Sequence, residues 1–262
     1  MIHGPDQLSS MIVRSLEQVE SLDPEGEDAA LFAGQLATAR SDLFEGGGTL
    51  ASLPEAARKN ALILSRATIR LIKDIPAIAE AMLNAIDRRT TEPAVRCALA
   101  GSLSYLVRPR DLLPDDLPGG YGLVDDCMIL RATVTEFLEY LPKEFTSADR
   151  ERRVLELLAT CIPPERLPQF QAEVEGIWLT FHALLWKSED EVDGVTSDIL
   201  RDPLGTPLPA PERESIPLPP GPRLSMSPGE EILSFESGKL TISFSSGHCL
   251  ELSEAGEILS WK

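Results

Sequence analysis

Five aspartates crowd into the segment from Tyr105 to Asp126, and four of them, Asp111, Asp115, Asp125 and Asp126, are the candidate ligands. Carboxylate oxygens at that density are what hard cations such as Mg²⁺, Mn²⁺ or Ca²⁺ take as ligands. One reading is therefore a divalent-metal-binding protein or a metal-dependent hydrolase. The spacing fits no EF-hand, and no Glu-x-x-His accompanies it. The same segment carries Pro109, Pro114, Pro118, Gly119, Gly120 and Gly122, which fix φ or supply positive φ. That composition supports a second reading, a rigid corner between two helices. In it Asp111 and Asp115 accept backbone N–H bonds, and Asp125 or Asp126 sits in the first turn of the next helix, where carboxylates cap free donors. Arg108 and Arg110 would pair with these aspartates and fix the loop. In a third reading, Leu112, Leu117, Tyr121 and Leu123 form an apolar edge that docks a partner or a membrane interface.

Other chemistry-bearing residues are sparse. His182 follows Phe181 on an apolar helix and reads as packing. His248 and Cys249 are adjacent, which on a strand sends their side chains to opposite faces. Cys97, Cys127, Cys161 and Cys249 form no C-x-x-C pair, so neither a disulfide framework nor a zinc knuckle is indicated. No nucleophile elbow, P-loop or dinucleotide fingerprint occurs, and no cofactor is expected. Trp178, Trp186 and Trp261 read as core or interface anchors.

The elements around the motif follow from periodicity. Apolar residues recur at helical spacing to about residue 188: Leu8, Met11, Ile12, Leu16 and Val19 first, then Leu31, Phe32, Leu36 and Ala39. The Gly46–Gly48 run closes that pair. Further helices fit from Pro54 to a stop before Pro76, over 78–86, 93–107, 123–140, 147–160 and 165–187. Nine of the 21 prolines then fall between Asp202 and Pro228, the mark of extended linker. The last residues alternate apolar and polar, with Ser-Gly-Lys, Ser-Gly-His and Glu-Ala-Gly turns, as in an antiparallel meander. The expected fold is mainly α. A helical bundle-like body (1–188) is followed by a Pro-rich linker (189–228) and a small four-stranded β-meander (229–262), α+β overall. So small a sheet should pack on the body or on a partner.

The order Asp111-Leu-Leu-Pro-Asp, then Pro118, Gly122 and Asp125-Asp126, resembles the bacterial YkvA-like family, a domain of unknown function labelled DUF1232. The resemblance covers about residues 90–140. Leu113 stands where the family has Ile, and Gly119-Gly120-Tyr121 lengthens the loop. The resemblance implies a short helical hairpin and no particular reaction.

Net charge of −18 excludes a phosphate-tracking surface, so no direct nucleic-acid contact is expected. With 43% hydrophobic residues a real core is affordable. The N-terminus lacks the basic head and apolar run of a signal peptide, no transmembrane segment is apparent, and a cytoplasmic location is expected. The functional expectation is a non-enzymatic protein-interaction or regulatory accessory protein of a bacterial system, for example in defence or toxin neutralisation. Its acidic surface would dock a partner, most simply a basic one.

Overall fold

The computed structural model describes residues 7–44, 48–108, 112–142, 147–207 and 231–262. Nine α-helices and four strands lie in these residues, so the mainly α architecture with a terminal antiparallel sheet holds. The helices are α1 (Gln7–Ser21), α2 (Glu27–Ala39), α3 (Glu55–Ile72), α4 (Ile75–Asp87), α5 (Pro93–Tyr105), α6 (Val124–Glu136), α7 (Ala148–Ala159), α8 (Leu167–Leu184) and α9 (Glu189–Arg201). The strands are β1 (Ile232–Glu236), β2 (Lys239–Ser243), β3 (Cys249–Ser253) and β4 (Ile258–Trp261).

Helices α5 and α6 form the centre. Each has thirteen residues, of which eleven are buried, and a helix buried on every side must be wrapped by others. α1, α4, α8 and α9 pack on α5, while α3, α4, α7 and α8 pack on α6. Helix ends fall where the sequence punctuates them. α3 stops at Ile72, ahead of Pro76, which sits in the first turn of α4. α6 ends at Glu136, earlier than the apolar pattern to Tyr140 suggests, and a short 3₁₀ turn covers Leu138–Tyr140.

The linker expected from 189 onward needs correction. Residues 189–201 are helix α9, packed on α5 and α1 through Val192, Thr196 and Ile199. Its start is a capping box: Ser188 accepts from Glu191 N–H while the Glu191 carboxylate takes the Ser188 N–H. Residues 208–230, which hold most of the Pro-rich stretch, lie outside the described residues, as do Gly46 and Gly47.

The sheet has the order β1-β2-β3-β4, all neighbours antiparallel. Register pairs Leu233 with Ile242, Phe235 with Leu240, Ile242 with Leu250 and Leu240 with Leu252. The apolar residues therefore share one face, turned onto the body against α3. Gly256, at φ +79°, fits where an added Cβ would lie 2.6 Å from the Ala67 backbone N. Arg66 donates to the Glu254 carbonyl at 2.8 Å, and His248 Nδ1 lies 3.2 Å from Glu156 of α7.

Arg40 joins sheet and body at greater depth. Its side chain is fully buried, and its guanidinium donates to the Thr160 carbonyl (2.5 Å), Asp42 (2.8 Å) and Glu231 (3.1 Å). Burial opposes the guanidinium charge, but Asp42 and Glu231 outweigh it and hold the pKa above its usual value.

Candidate functional site

The α5–α6 corner is built around the Asp125 carboxylate. Asp125 sits in the first turn of α6 and is fully buried. Its Oδ2 accepts the Leu112 N–H (3.0 Å), the Leu113 N–H (3.1 Å) and the Tyr105 hydroxyl (3.0 Å). The carboxylate thus reaches back across the loop and satisfies donors of the preceding turn. Burial pushes its pKa up to about 6, although the three donors each pull it down. Burial among apolar groups, with Asp125 close by, pushes the Tyr105 hydroxyl far above the usual tyrosine range. The Tyr105 hydroxyl donates to Asp125 while its oxygen accepts the Leu112 N–H at 3.3 Å.

The glycines let the loop close. Gly122 lies so near Pro114 that a Cβ would be 2.1 Å from the Pro114 carbonyl oxygen. Gly119 and Gly120 have φ of +68° and +77°. A Cβ on Gly119 would lie 2.4 Å from the Asp28 carbonyl and 2.5 Å from the Phe32 amide nitrogen. Gly119-Gly120-Tyr121 is thus the surface on which α2 docks. Tyr121 completes the contact: its ring meets Phe32 edge-on at 5.1 Å, and its hydroxyl donates to the Cys161 carbonyl at 2.6 Å.

The remaining motif residues divide sharply. Asp126 is buried in the same helical turn as Asp125. Pro114 and Pro118 are exposed; Pro114 C=O accepts from Leu117 N–H at 3.0 Å, and Pro118 opens the 3₁₀ turn through Leu123. Asp115 offers its backbone carbonyl to Gln18 Nε2 at 3.1 Å, fastening α1. Arg108 lies 3.7 Å from Glu173 of α8, with its guanidinium 5.8 Å from the Tyr105 ring centre. Arg110 and Asp111 lie outside the described residues. The apolar edge expected from Leu112, Leu117, Tyr121 and Leu123 is corrected: Leu112, Tyr121 and Leu123 are buried and Leu117 is half-buried against the core, because the loop folds onto α2 and the body. Among the described residues no group of three or more His, Cys, Asp or Glu is gathered to hold a metal ion.

Sequence reasoning missed Tyr105 and Tyr121, whose hydroxyls the corner uses. It also missed a second charged cluster at the far end of the segment. Arg131, 3% exposed, bridges Glu151 of α7 (2.7 Å) and Asp74 ahead of α4 (2.5 Å). The signal was an arginine on an otherwise apolar helix, which demands buried partners.

Residues 95–131 match the family described as Protein of unknown function (DUF1232). The DUF1232 segment thus runs from α5, through the corner, to Arg131. No curated protein and no solved structure matches the chain. The segment coincides with the buried centre of the fold, so its motif residues are the ones that set the α5–α6 corner.

Proposed function

We propose that the protein is a non-enzymatic accessory or regulatory protein that binds a basic protein partner. The observation that carries this reading is the engagement of Asp125, the buried carboxylate of the motif, by three donors from its own chain. A carboxylate so committed fastens the loop to the first turn of α6. The acidic balance of the chain, −18, supplies the attraction for a basic surface. In this reading the DUF1232 corner holds the helices in register, and binding belongs to the acidic exterior.

Immobilised full-length protein, exposed to native bacterial lysate, should retain a stoichiometric partner of basic isoelectric point. Recovery of no such partner, together with a monomeric size in solution, would sink the reading. Heat on titration with Mg²⁺ or Mn²⁺ that vanishes in Asp125→Asn would favour metal chemistry instead.

A further inference from the structure

Helix α8 is apolar on more than one side. Leu167, Phe170, Val174, Ile177 and Leu184 form the buried face expected of a packed helix. The outward side is nearly free of charge as well. Residues 176–186 hold no Asp, Glu, Lys or Arg, and burial lowers the pKa of His182, which favours its neutral form. On that side Leu179 and His182 are half-buried, while Ala172 and Trp186 are exposed, Trp186 to 75%. Ala172, Glu175, Leu179, His182 and Trp186 recur at alternating intervals of three and four, the spacing of a seam between two packed helices.

Gly176 lies beside this seam in mid-helix, where glycine weakens a helix. Apart from its neighbours in the helix, no described atom lies within 4 Å of where its Cβ would sit. No such contact accounts for the glycine, and the notch admits a bulky side chain from outside. Charge decides which one. A net charge of −18 sets two copies against each other except where charge is sparse. A basic partner, conversely, finds no carboxylate between Gly176 and Trp186 to pair with.

We propose that the outward face of α8 pairs with the same face of a second copy, the two helices antiparallel about a two-fold axis near Phe181. In a two-fold contact, if residue i meets j then j meets i. Glu175 and Lys187, both exposed, stand six positions to either side of Phe181, so each lysine meets the other copy's glutamate. Gly176 and Trp186 stand five positions to either side, so each indole meets the other copy's notch. Glu173 and Glu189 stand eight positions out and would repel, but each has a cation of its own chain, Arg108 at 3.7 Å and Arg96 at 3.8 Å. The eighteen residues of α8 span about 27 Å, a contact at the small end for a dimer, so association depends on concentration. This pairing does not rest on the basic-partner reading.

Sedimentation equilibrium of the full chain over a wide concentration range should show the 28.6 kDa monomer associating to twice that mass. Added salt should strengthen association, because it screens the repulsion of two acidic copies; a complex with a basic partner responds in the opposite sense. Gly176→Glu and Trp186→Ala should each weaken association roughly tenfold or more. Glu175→Lys and Lys187→Glu should each weaken it alone, and the double reversal should restore it. A monomer at every concentration, full association in a folded Gly176→Glu, or a double reversal no better than its singles would overturn the pairing. A monomeric chain whose capture of a basic partner fails in Gly176→Glu would give the face to that partner and also overturn it. A dimer that captures no basic partner from lysate would leave the pairing standing and remove the basic-partner reading.

Discussion

Asp125 sets the behaviour of the corner at the scale of single residues. Asp125→Ala strands the Leu113 amide and the Tyr105 hydroxyl and leaves the Leu112 amide only its 3.3 Å bond to Tyr105, and unmet buried donors cost about 1–3 kcal/mol each. A loss of roughly 2–4 kcal/mol is expected in urea denaturation, with Tyr105→Phe losing about 1 kcal/mol. The pH dependence has a definite sign. The folded pKa of about 6 lies above the ordinary aspartate value of 3.8, so the folded state binds the proton more tightly than the unfolded state does. The contribution of Asp125 is then complete below about pH 4 and declines as pH rises through 6. The stability gap between wild type and Asp125→Asn should therefore be wider at pH 4.5 than at pH 7.5. A gap that widens with rising pH would contradict the burial argument. The motif's turn character was legible because Pro and Gly act through their own backbone geometry. Its hydrogen-bond partners were not, because Tyr105 and Tyr121 find theirs through the tertiary fold.

Gly119 and Gly120 decide how α2 meets the core. Gly119→Ala would combine a positive φ with a Cβ driven into the Asp28 and Phe32 backbone. The expected outcome is early loss of protection in α2 in amide exchange, ahead of α5 and α6. Uniform loss in all helices would show that α2 does not dock as a separate unit. At α9, Ser188→Ala should cost about 1 kcal/mol by removing the cap. Helix α9 was hidden in the sequence by its acidic composition and its proximity to the prolines. Ser188-Glu-Asp-Glu191 was the readable signal, since a capping box is local and needs no tertiary partner. The strands and turns of the meander were legible from alternation, but which surface received them was not. That depends on contacts distant in sequence, such as Gly256 against Ala67 and Arg40, 191 residues before its partner Glu231.

For the whole molecule, the Arg40 staple and the acidic exterior are the two features that matter. Arg40→Leu would remove the buried guanidinium that Asp42, Glu231 and the Thr160 carbonyl share, a change worth about 3–5 kcal/mol. Amide exchange in β1–β4 should then accelerate while α5 and α6 stay protected; equal exchange in both would contradict the staple. None of the helices among the described residues is long and apolar enough to cross a membrane, and the proposed function rests on the charge of −18 favouring a basic partner. The most direct test is light scattering of the captured complex at low and high salt. The account predicts a stoichiometric complex with a basic protein that dissociates as ionic strength rises, because screening shortens the reach of surface charge. A protein that stays alone at low salt, or a complex indifferent to salt, would contradict it.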